Sequence, residues 1–406
     1  MKVLFIAGSL RIGGISSSLT ALLHALCSRN IDVSLYLFDP PGDAIDRVPE
    51  KVKLVDIPEL DDIFKIPTIF LPKLYFFIQR RLLVNSLVLH LKKIFPSKNK
   101  TIQRRTEMFH YQLRDDHICR YSGKTVDLSE KFDVVISWGE LLTNYALANN
   151  VICKKKYGWI HPNYDEAGFC KQIDKRNLES LDGIVAVSET GKTTLIQRFP
   201  EWKDKIYYVE NLINVDKVRD KATLQQNEIC GNGIKLITVA RIQNASKAID
   251  RAIQIAQKLH ERNYRFAWYF IGDGEDLSAM KKYASDLGVK DCTFFLGAKE
   301  NPYPYIRASD LFILQSYYEG KPIVVDEALI LGTPVLVTNY YSANQQVNNG
   351  IEGLVVQNNE RAICSAIASI LDNENILVEW RKNLERRNNE RYGNIDAFLD
   401  LIYTEK

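Results

Sequence analysis

Residues 2–7 read Lys-Val-Leu-Phe-Ile-Ala, an apolar run that leads directly into a loop containing three glycines. Because apolar residues do not alternate with polar ones, the run predicts a strand buried on both faces, as in a parallel sheet. Ser16 to Ser18 can cap a helix that extends through Leu26, and Ile31 to Phe38 predicts the next strand. The order of strand, glycine loop, helix and strand is typical of a doubly wound α/β domain.

The same pattern begins again near residue 235. Lys235 to Ala240 predicts a second buried strand, and Ala248 to Leu259 predicts the helix that follows it. Further strands are predicted over Phe266–Ile271, Thr293–Leu296, Leu311–Gln315 and Pro334–Thr338. A chain of 406 residues is long enough to form two such cores, so the sequence predicts two Rossmann-like domains.

Basic residues are concentrated in one segment. Ten of the 53 Lys and Arg residues lie between Phe64 and Thr106, which has no Asp or Glu, whereas the rest of the chain has 43 basic and 50 acidic residues. Aromatic and aliphatic residues alternate with these cations. We expect an amphipathic insertion over 63–106, which either contacts an anionic membrane surface or covers the first domain. Its apolar content favours lipid over nucleic acid as a partner, so no nucleic acid is expected.

With 46% hydrophobic and 25% charged residues, the composition is that of a soluble globular protein. The seven cysteines form no CxxC pair, which argues against a structural zinc site. The apolar run at the amino terminus is too short for a signal peptide. No stretch approaches the roughly 20 apolar residues that span a bilayer. We therefore expect a cytoplasmic protein, either free or peripheral on the inner face of the cytoplasmic membrane.

Two carboxylates stand out in the segment Tyr318-Glu-Gly-Lys-Pro-Ile-Val-Val-Asp-Glu-Ala-Leu329. A strand ends just before Glu319, and Pro322 is suited to the first turn of a helix that carries Glu327. Helix N-termini favour anions, and a carboxylate can accept hydrogen bonds from two adjacent sugar hydroxyls. The pair predicts recognition of sugar and ribose, although a capped surface helix with two solvated acids has the same pattern.

Three further features are candidates for ligand binding. Arg241 and Lys247 follow the strand that ends at Ala240, where two cations suit a diphosphate, although isolated surface charges have the same pattern. The Gly13-Gly14 pair lets the backbone approach a phosphate closely, or forms a plain turn. His161 ends another predicted strand, where a structural role is the alternative. The dinucleotide fingerprint GxGxxG is absent, which argues against nicotinamide binding.

The carboxylate segment resembles the C-terminal domain of the retaining GT-B glycosyltransferases of family 4. In that family two Glu are separated by seven residues and a Gly-Thr-Pro turn follows, as Glu319, Glu327 and Gly332-Thr333-Pro334 do here. This sequence has Lys321 where the family commonly has Phe or Leu. The resemblance implies an α/β GT-B fold, with two Rossmann-like domains facing across a cleft.

The resemblance also implies site residues. It implies catalytic roles for Glu319, Arg241, Lys247 and His161, and donor-binding roles for Gly13, Gly14, Gly320, Lys321, Pro322, Ile323, Glu327 and Gly297. Within these, Glu319 would contact the donor sugar and Glu327 the ribose. The cations would neutralise the diphosphate as the sugar departs. Because no DxD pattern occupies a convincing metal position, no metal or other cofactor is expected.

The expected enzyme is a hexosyltransferase. It would move a hexose-type sugar from a nucleotide-sugar, a UDP-sugar by preference, to a glycan or lipid-linked glycan with retention of configuration. The expected domains are an acceptor domain over 1–215, a linker over 216–234, a donor domain over 235–385 and a helical tail over 386–406 that returns to the first domain. Two alternatives stay open: a nucleotide-sugar-binding protein of the same fold without transferase activity, and a nucleotide-sugar epimerase.

Overall fold

The computed structural model describes residues 1–11, 13–64, 100–224, 228–229, 233–387 and 389–404, so most of the predicted insertion 63–106 lies outside the described residues. The chain divides into two compact units. The first comprises Met1–Glu210 and Ile395–Lys406, and the second comprises Asn211–Asn394. Each unit has a parallel sheet with helices in the connections, so the expectation of two Rossmann-like units is confirmed.

The sheet of the first unit has the strand order β3-β2-β1-β5-β7-β8-β9, and every pairing in it is parallel. A separate pair is formed by β4 and β6. The central strands are buried because their apolar runs have helices on both faces. The strands are β1 Lys2–Ala7, β2 Asp32–Leu37, β3 Lys53–Leu54, β4 Val126–Asp127, β5 Val134–Ser137, β6 Val151–Ile152, β7 Lys155–Ile160, β8 Gly183–Ala186 and β9 Ile206–Tyr208.

The described helices of the first unit pack around this sheet. Among them, Asp396–Tyr403 comes from the end of the chain, and its Phe398 stacks on Phe5 of β1 with ring centroids 6.2 Å apart. The α-helices are Gly14–Ser28, Pro58–Phe64, Lys100–Tyr121, Leu142–Asn150, Tyr164–Ala167, Lys171–Leu178, Glu189–Arg198 and Asp396–Tyr403, and the 3-10 helices are Ile45–Arg47 and Pro200–Lys205.

The sheet of the second unit has the order β12-β11-β10-β13-β14-β15 and is also parallel throughout. Its strands are β10 Ile234–Val239, β11 Phe266–Ile271, β12 Thr293–Gly297, β13 Leu311–Leu314, β14 Val335–Thr338 and β15 Gly353–Val356. Its described helices are Val215–Lys221, Asn244–Lys247, Ile249–Glu261, Leu277–Asp286, Tyr303–Ala308, Ile323–Ile330, Ala343–Gln346, Glu360–Asp372 and Asn375–Glu385, with the 3-10 helix Glu390–Gly393.

Element boundaries differ from the sequence expectations in two places. The helix Lys100–Tyr121 continues through residue 106, where the insertion was expected to end. The segment expected as a linker, 216–234, begins within the helix Val215–Lys221, whose Val218 packs in the same buried cluster as Ile323. The first helix buries Gln112, Asp115 and Asp116 as well as Ile118, and the second buries Val218, so the local polarity of these segments does not reveal their buried faces.

Two global properties follow from the described part of the chain. Within it, no helix is both long enough and apolar enough to cross a membrane. The six cysteines that it includes are free thiols, and four of them are buried: Cys27, Cys119, Cys292 and Cys364.

Candidate active site

The loops that follow β10, β11 and β12 meet at one edge of the second sheet, because parallel strands end on the same side. The Gly272 amide donates to the carbonyl of Gly297 at 2.9 Å, which joins the ends of β11 and β12. Gly272 has a φ of +142°, and a Cβ there would lie 1.9 Å from the carbonyl oxygen of Ala240. Only glycine permits this approach, which fixes the backbone just before Arg241.

Lys247 and Glu319 form an ion pair at this edge. Lys247 Nζ lies 2.5 Å from Glu319 Oε1, and the two side chains are 23% and 11% exposed. Lys247 ends the short helix Asn244–Lys247, and the next residue, Ala248, adopts the left-handed conformation with a φ of 51°. This break directs the lysine towards the loop that follows β13. The structure therefore brings together two of the four expected catalytic residues.

Long-range hydrogen bonds hold these two loops in register. Gln315 Nε2 donates to the carbonyl of Lys247 at 3.1 Å, and the Tyr317 amide donates to the carbonyl of Ser246 at 2.9 Å. Below the loop, the buried guanidinium of Arg251 lies 4.7 Å from the Tyr317 ring centroid and donates to the carbonyl of Gln315. Burial lowers the pKa of Arg251 from its usual value. The loop that carries Glu319 is thus fixed from two sides.

Glu319 accepts a second hydrogen bond on the same oxygen. Ser316 Oγ donates to Glu319 Oε1 at 2.6 Å. The backbone carbonyl of Ser316 accepts from Thr338 Oγ1 at 2.8 Å and from Asn358 Nδ2 at 3.2 Å. Asn358 Nδ2 also donates to the carbonyl of Tyr317 at 2.7 Å. Lys247 and Ser316 therefore both donate to Oε1, and the loop that carries Ser316 is itself held by β14 and by the turn after β15.

Glu327 lies apart from this pair, inside the helix Ile323–Ile330. Its side chain is 7% exposed, and Tyr303 Oη donates to its Oε1 at 2.8 Å. Pro322 is the N-cap of this helix, one residue before the first turn in which the sequence predicted it, and Ile323 is buried. Because most residues of this nearly apolar helix are buried, the carboxylate of Glu327 has little access to water.

A buried polar network supports the start of this helix. Gln346 Nε2 donates to the carbonyl of Pro322 at 3.1 Å and to Asp326 Oδ2 at 2.8 Å. Tyr392 Oη donates to Asp326 Oδ1 at 3.1 Å. Ser342 Oγ donates to the carbonyl of Gly320 at 2.5 Å. Asp326, which lies between the two motif carboxylates in the sequence, therefore anchors the start of this helix.

The other residues expected in the second unit have distinct environments. Arg241 is exposed, and its guanidinium makes no hydrogen bond or ion pair with the part of the chain that the structure describes. Lys321 is mostly buried beside Glu319. Gly297 ends β12 with a φ of +73° and open space around it. Arg241 thus presents an unneutralised cation at the edge of the sheet, whereas the charge of Lys247 is paired.

In the first unit, Gly13 and Gly14 form the exposed amino terminus of the helix Gly14–Ser28. His161 directly follows β7 and is 8% exposed. Its backbone amide donates to Glu140 Oε1 at 2.7 Å, and its ring packs edge-on against Trp138 with centroids 5.4 Å apart. The buried Nε2 atom has no hydrogen-bond partner among the residues that the structure describes. Burial lowers the pKa of His161, with Glu140 opposing, so the imidazole is neutral at pH 7.

Sequence reasoning did not identify several residues that contact the expected ones. They are Tyr303, Ser316 and Glu140, which hydrogen-bond to Glu327, Glu319 and His161 respectively. Ser316 and Glu140 each follow a buried strand by two or three residues, which was the available signal. Tyr303 opens a short helix, and nothing in the local pattern distinguishes it from a core tyrosine.

The chain is similar to several known proteins. Residues 220–388 match the family described as glycosyl transferases group 1. The poly(ribitol-phosphate) alpha-N-acetylglucosaminyltransferase of Staphylococcus aureus is 20% identical over 260 residues, which are 61% of this chain and 50% of that protein. The chain therefore spans about half the length of that relative.

A second relative is similar over almost its whole length. It is the GalNAc-alpha-(1->4)-GalNAc-alpha-(1->3)-diNAcBac-PP-undecaprenol alpha-1,4-N-acetyl-D-galactosaminyltransferase of Campylobacter jejuni, 22% identical over 95% of this chain and 93% of that protein. Among solved structures, a variant of S. aureus TarM in complex with Fondaparinux, alpha-GlcNAc-glycerol and UDP matches with a TM-score of 0.68 at 15% identity, over 99% of this chain and 100% of that one. The expected GT-B fold is confirmed.

Proposed function

We propose, from the premise that residues 220–388 are a domain of the glycosyl transferases group 1 family, that this protein moves a hexose-type sugar from a UDP-sugar to a glycan or lipid-linked glycan. The observation that carries the proposal is that Arg241, Lys247 and Glu319 lie in the segments that follow β10 and β13, at the carboxyl edge of the second sheet, with Glu327 in the helix that comes next. Doubly wound sheets bind their ligands at this edge.

The cations would stabilise the leaving group. When the bond between the anomeric carbon and the diphosphate oxygen breaks, the electron pair stays on the diphosphate and positive charge develops on the sugar. Arg241 has an uncommitted guanidinium that can take two phosphate oxygens, and Lys247 keeps two of its three N–H donors after pairing with Glu319. Because these groups can supply the charge stabilisation, we propose a reaction that requires no metal.

The two carboxylates would position the two ends of the donor. Glu319 stands beside the lysine that would hold the diphosphate, so it is placed for the hydroxyls of the sugar. Glu327 is held by Tyr303 inside a buried helix, which suits a rigid contact to the ribose hydroxyls. We assign neither as a nucleophile. In the proposed reaction the acceptor oxygen bonds to the anomeric carbon from the leaving-group face, its proton passes to a phosphate oxygen, and the configuration is retained.

The proposed acceptor is a glycan or a lipid-linked glycan. The names of the S. aureus and C. jejuni relatives specify a poly(ribitol-phosphate) chain and an undecaprenol-linked glycan respectively. The basic and aromatic segment 64–106 adds a second argument, because ten cations without an acid favour an anionic lipid surface.

A ligand screen tests the proposal. UDP and a panel of UDP-sugars are added to the full chain, and the melting temperature and the release of UDP are measured. A ligand that binds only the folded state raises the melting temperature by mass action. We expect stabilisation by UDP and by one or a few UDP-sugars, with UDP released in the presence of a glycan acceptor. A wild-type protein that is stabilised by none of them would refute the proposal.

A further inference from the structure

We propose that Ser316 is a positioning residue for the donor sugar, acting through Glu319. In this assignment, the Ser316 hydroxyl fixes Oε1 of Glu319 so that Oε2 alone is presented to a sugar hydroxyl. The inference rests on the proposed function, because it assumes that Glu319 faces the sugar of a nucleotide-sugar.

The two oxygens of Glu319 have different surroundings. Oε1 accepts from Lys247 Nζ at 2.5 Å and from Ser316 Oγ at 2.6 Å. Oε2 accepts no hydrogen bond from any residue that the structure describes, although the side chain is only 11% exposed. A carboxylate oxygen on a side chain that is mostly buried favours a hydrogen-bond donor. Oε2 is therefore the acceptor that remains for a ligand hydroxyl.

Ser316 is the more rigid of the two groups on Oε1. It is fully buried, and its backbone carbonyl is held by Thr338 and Asn358. Lys247 by contrast carries a point charge on a flexible four-carbon stem, and the diphosphate of the donor would attract it. When the donor binds and Lys247 moves towards the phosphates, the serine keeps Glu319 in place. The position of Glu319 against the sugar then depends on Ser316 and not on the lysine that neutralises the diphosphate.

The hydroxyl of Ser316 has no other hydrogen-bond partner. Its Oγ atom donates to Glu319, and no further contact of this atom occurs among the described residues. The substitution Ser316→Ala therefore removes one hydrogen bond to a charged group while leaving the backbone bonds of residue 316 intact. Hydrogen bonds to charged groups have effects of about tenfold in an equilibrium constant.

The experiment compares the affinity of the full chain for UDP with its affinity for the UDP-sugar that raises its melting temperature most. We expect Ser316→Ala to weaken binding of the UDP-sugar about tenfold and to leave binding of UDP within about twofold of wild type. Thr293→Val is the matched control, because it removes a buried hydroxyl that bonds only to the carbonyl of Val289 at the opposite end of β12. It should change neither affinity.

A double substitution distinguishes positioning from a general structural effect. In a Glu319→Gln background, removing the Ser316 hydroxyl should weaken UDP-sugar binding by less than about twofold, because its partner is already altered. The inference is overturned if Ser316→Ala binds the UDP-sugar like wild type, if it loses UDP affinity to the same extent, or if its effect is undiminished in the Glu319→Gln background. A wild-type chain that binds no UDP-sugar instead refutes the proposed function, and the inference with it.

Discussion

The substitution Glu327→Gln separates recognition of the ribose from recognition of the sugar. The side chain of Glu327 is 7% exposed and accepts from Tyr303 Oη at 2.8 Å, so glutamine fits the same space and keeps one acceptor. It replaces a charged acceptor by a neutral amide. Hydrogen bonds to charged groups are worth about 1.5–3 kcal/mol and neutral ones about 0.5–1.5 kcal/mol. With two ribose hydroxyls involved, the affinity for UDP should fall by about 2–3 kcal/mol, or roughly 30- to 150-fold.

Glu319→Gln is the control for this experiment. It also neutralises a mostly buried carboxylate, but one that is 2.5 Å from Lys247. Because the substitution leaves the lysine with its full charge for the diphosphate, UDP should bind as tightly as to wild type or more tightly. Calorimetric titration of both variants with UDP provides the comparison, and their melting temperatures without ligand establish that both are folded. Equal losses of UDP affinity in the two variants would refute the assignment of Glu327 to the ribose and Glu319 to the sugar.

Four other predictions concern separate features. Arg241→Ala removes an exposed cation without a protein partner, so it should lower the rate of sugar transfer at least tenfold with an unchanged melting temperature; an unchanged rate would contradict its role. Gly272→Ala introduces a Cβ 1.9 Å from a backbone oxygen and should lower the free energy of unfolding by about 3 kcal/mol. The control Gly288→Ala, at a φ of +70° with open space around it, should lower it by only about 1 kcal/mol. Equal losses in denaturant titrations of the two variants would refute the predicted clash.

Burial raises the pKa of Asp174 to about 6, from 3.8, so the folded state binds more protons than the unfolded one between pH 4 and 6. The free energy of unfolding of the wild type should therefore fall by about 3 kcal/mol as pH rises through this range, and Asp174→Asn should flatten this dependence on pH. Identical pH dependences of the two proteins in chemical unfolding would exclude the Asp174 carboxyl as the cause. Finally, the full chain should float with liposomes of anionic lipid and should lose this binding when Arg80, Arg81, Lys92 and Lys93 are neutralised. Flotation that survives these substitutions would exclude the basic segment as the membrane-binding site.

Most strands of the two sheets could be predicted from the sequence because buried parallel strands are continuous apolar runs. The run from Lys235 to Ala240 predicted β10, which the structure places at Ile234–Val239. By contrast, β3 consists of the exposed residues Lys53 and Leu54 at the edge of its sheet. An edge strand of two residues buries no apolar run, so it leaves no periodic signal.

The partners of the site residues could not be predicted in the same way. The motif pattern identified Glu319 and Lys247 as separate groups, but their ion pair spans 72 residues of sequence. Its formation depends on hydrogen bonds from Gln315 and Tyr317 that set the register of the two loops. Sequence periodicity predicts which face of an element is buried, whereas the contacts between loops follow from the packing of the whole unit.

The central claim is that the edge of the second sheet binds the diphosphate of a nucleotide-sugar through Arg241 and Lys247. The most direct measurement is the calorimetric affinity of the full chain for UDP and for uridine, in the wild type and in a variant with both cations replaced by alanine. We predict that the wild type binds UDP much more tightly than uridine, and that the folded variant binds UDP and uridine with similar, weak affinity. A variant that binds UDP as tightly as the wild type would contradict the claim.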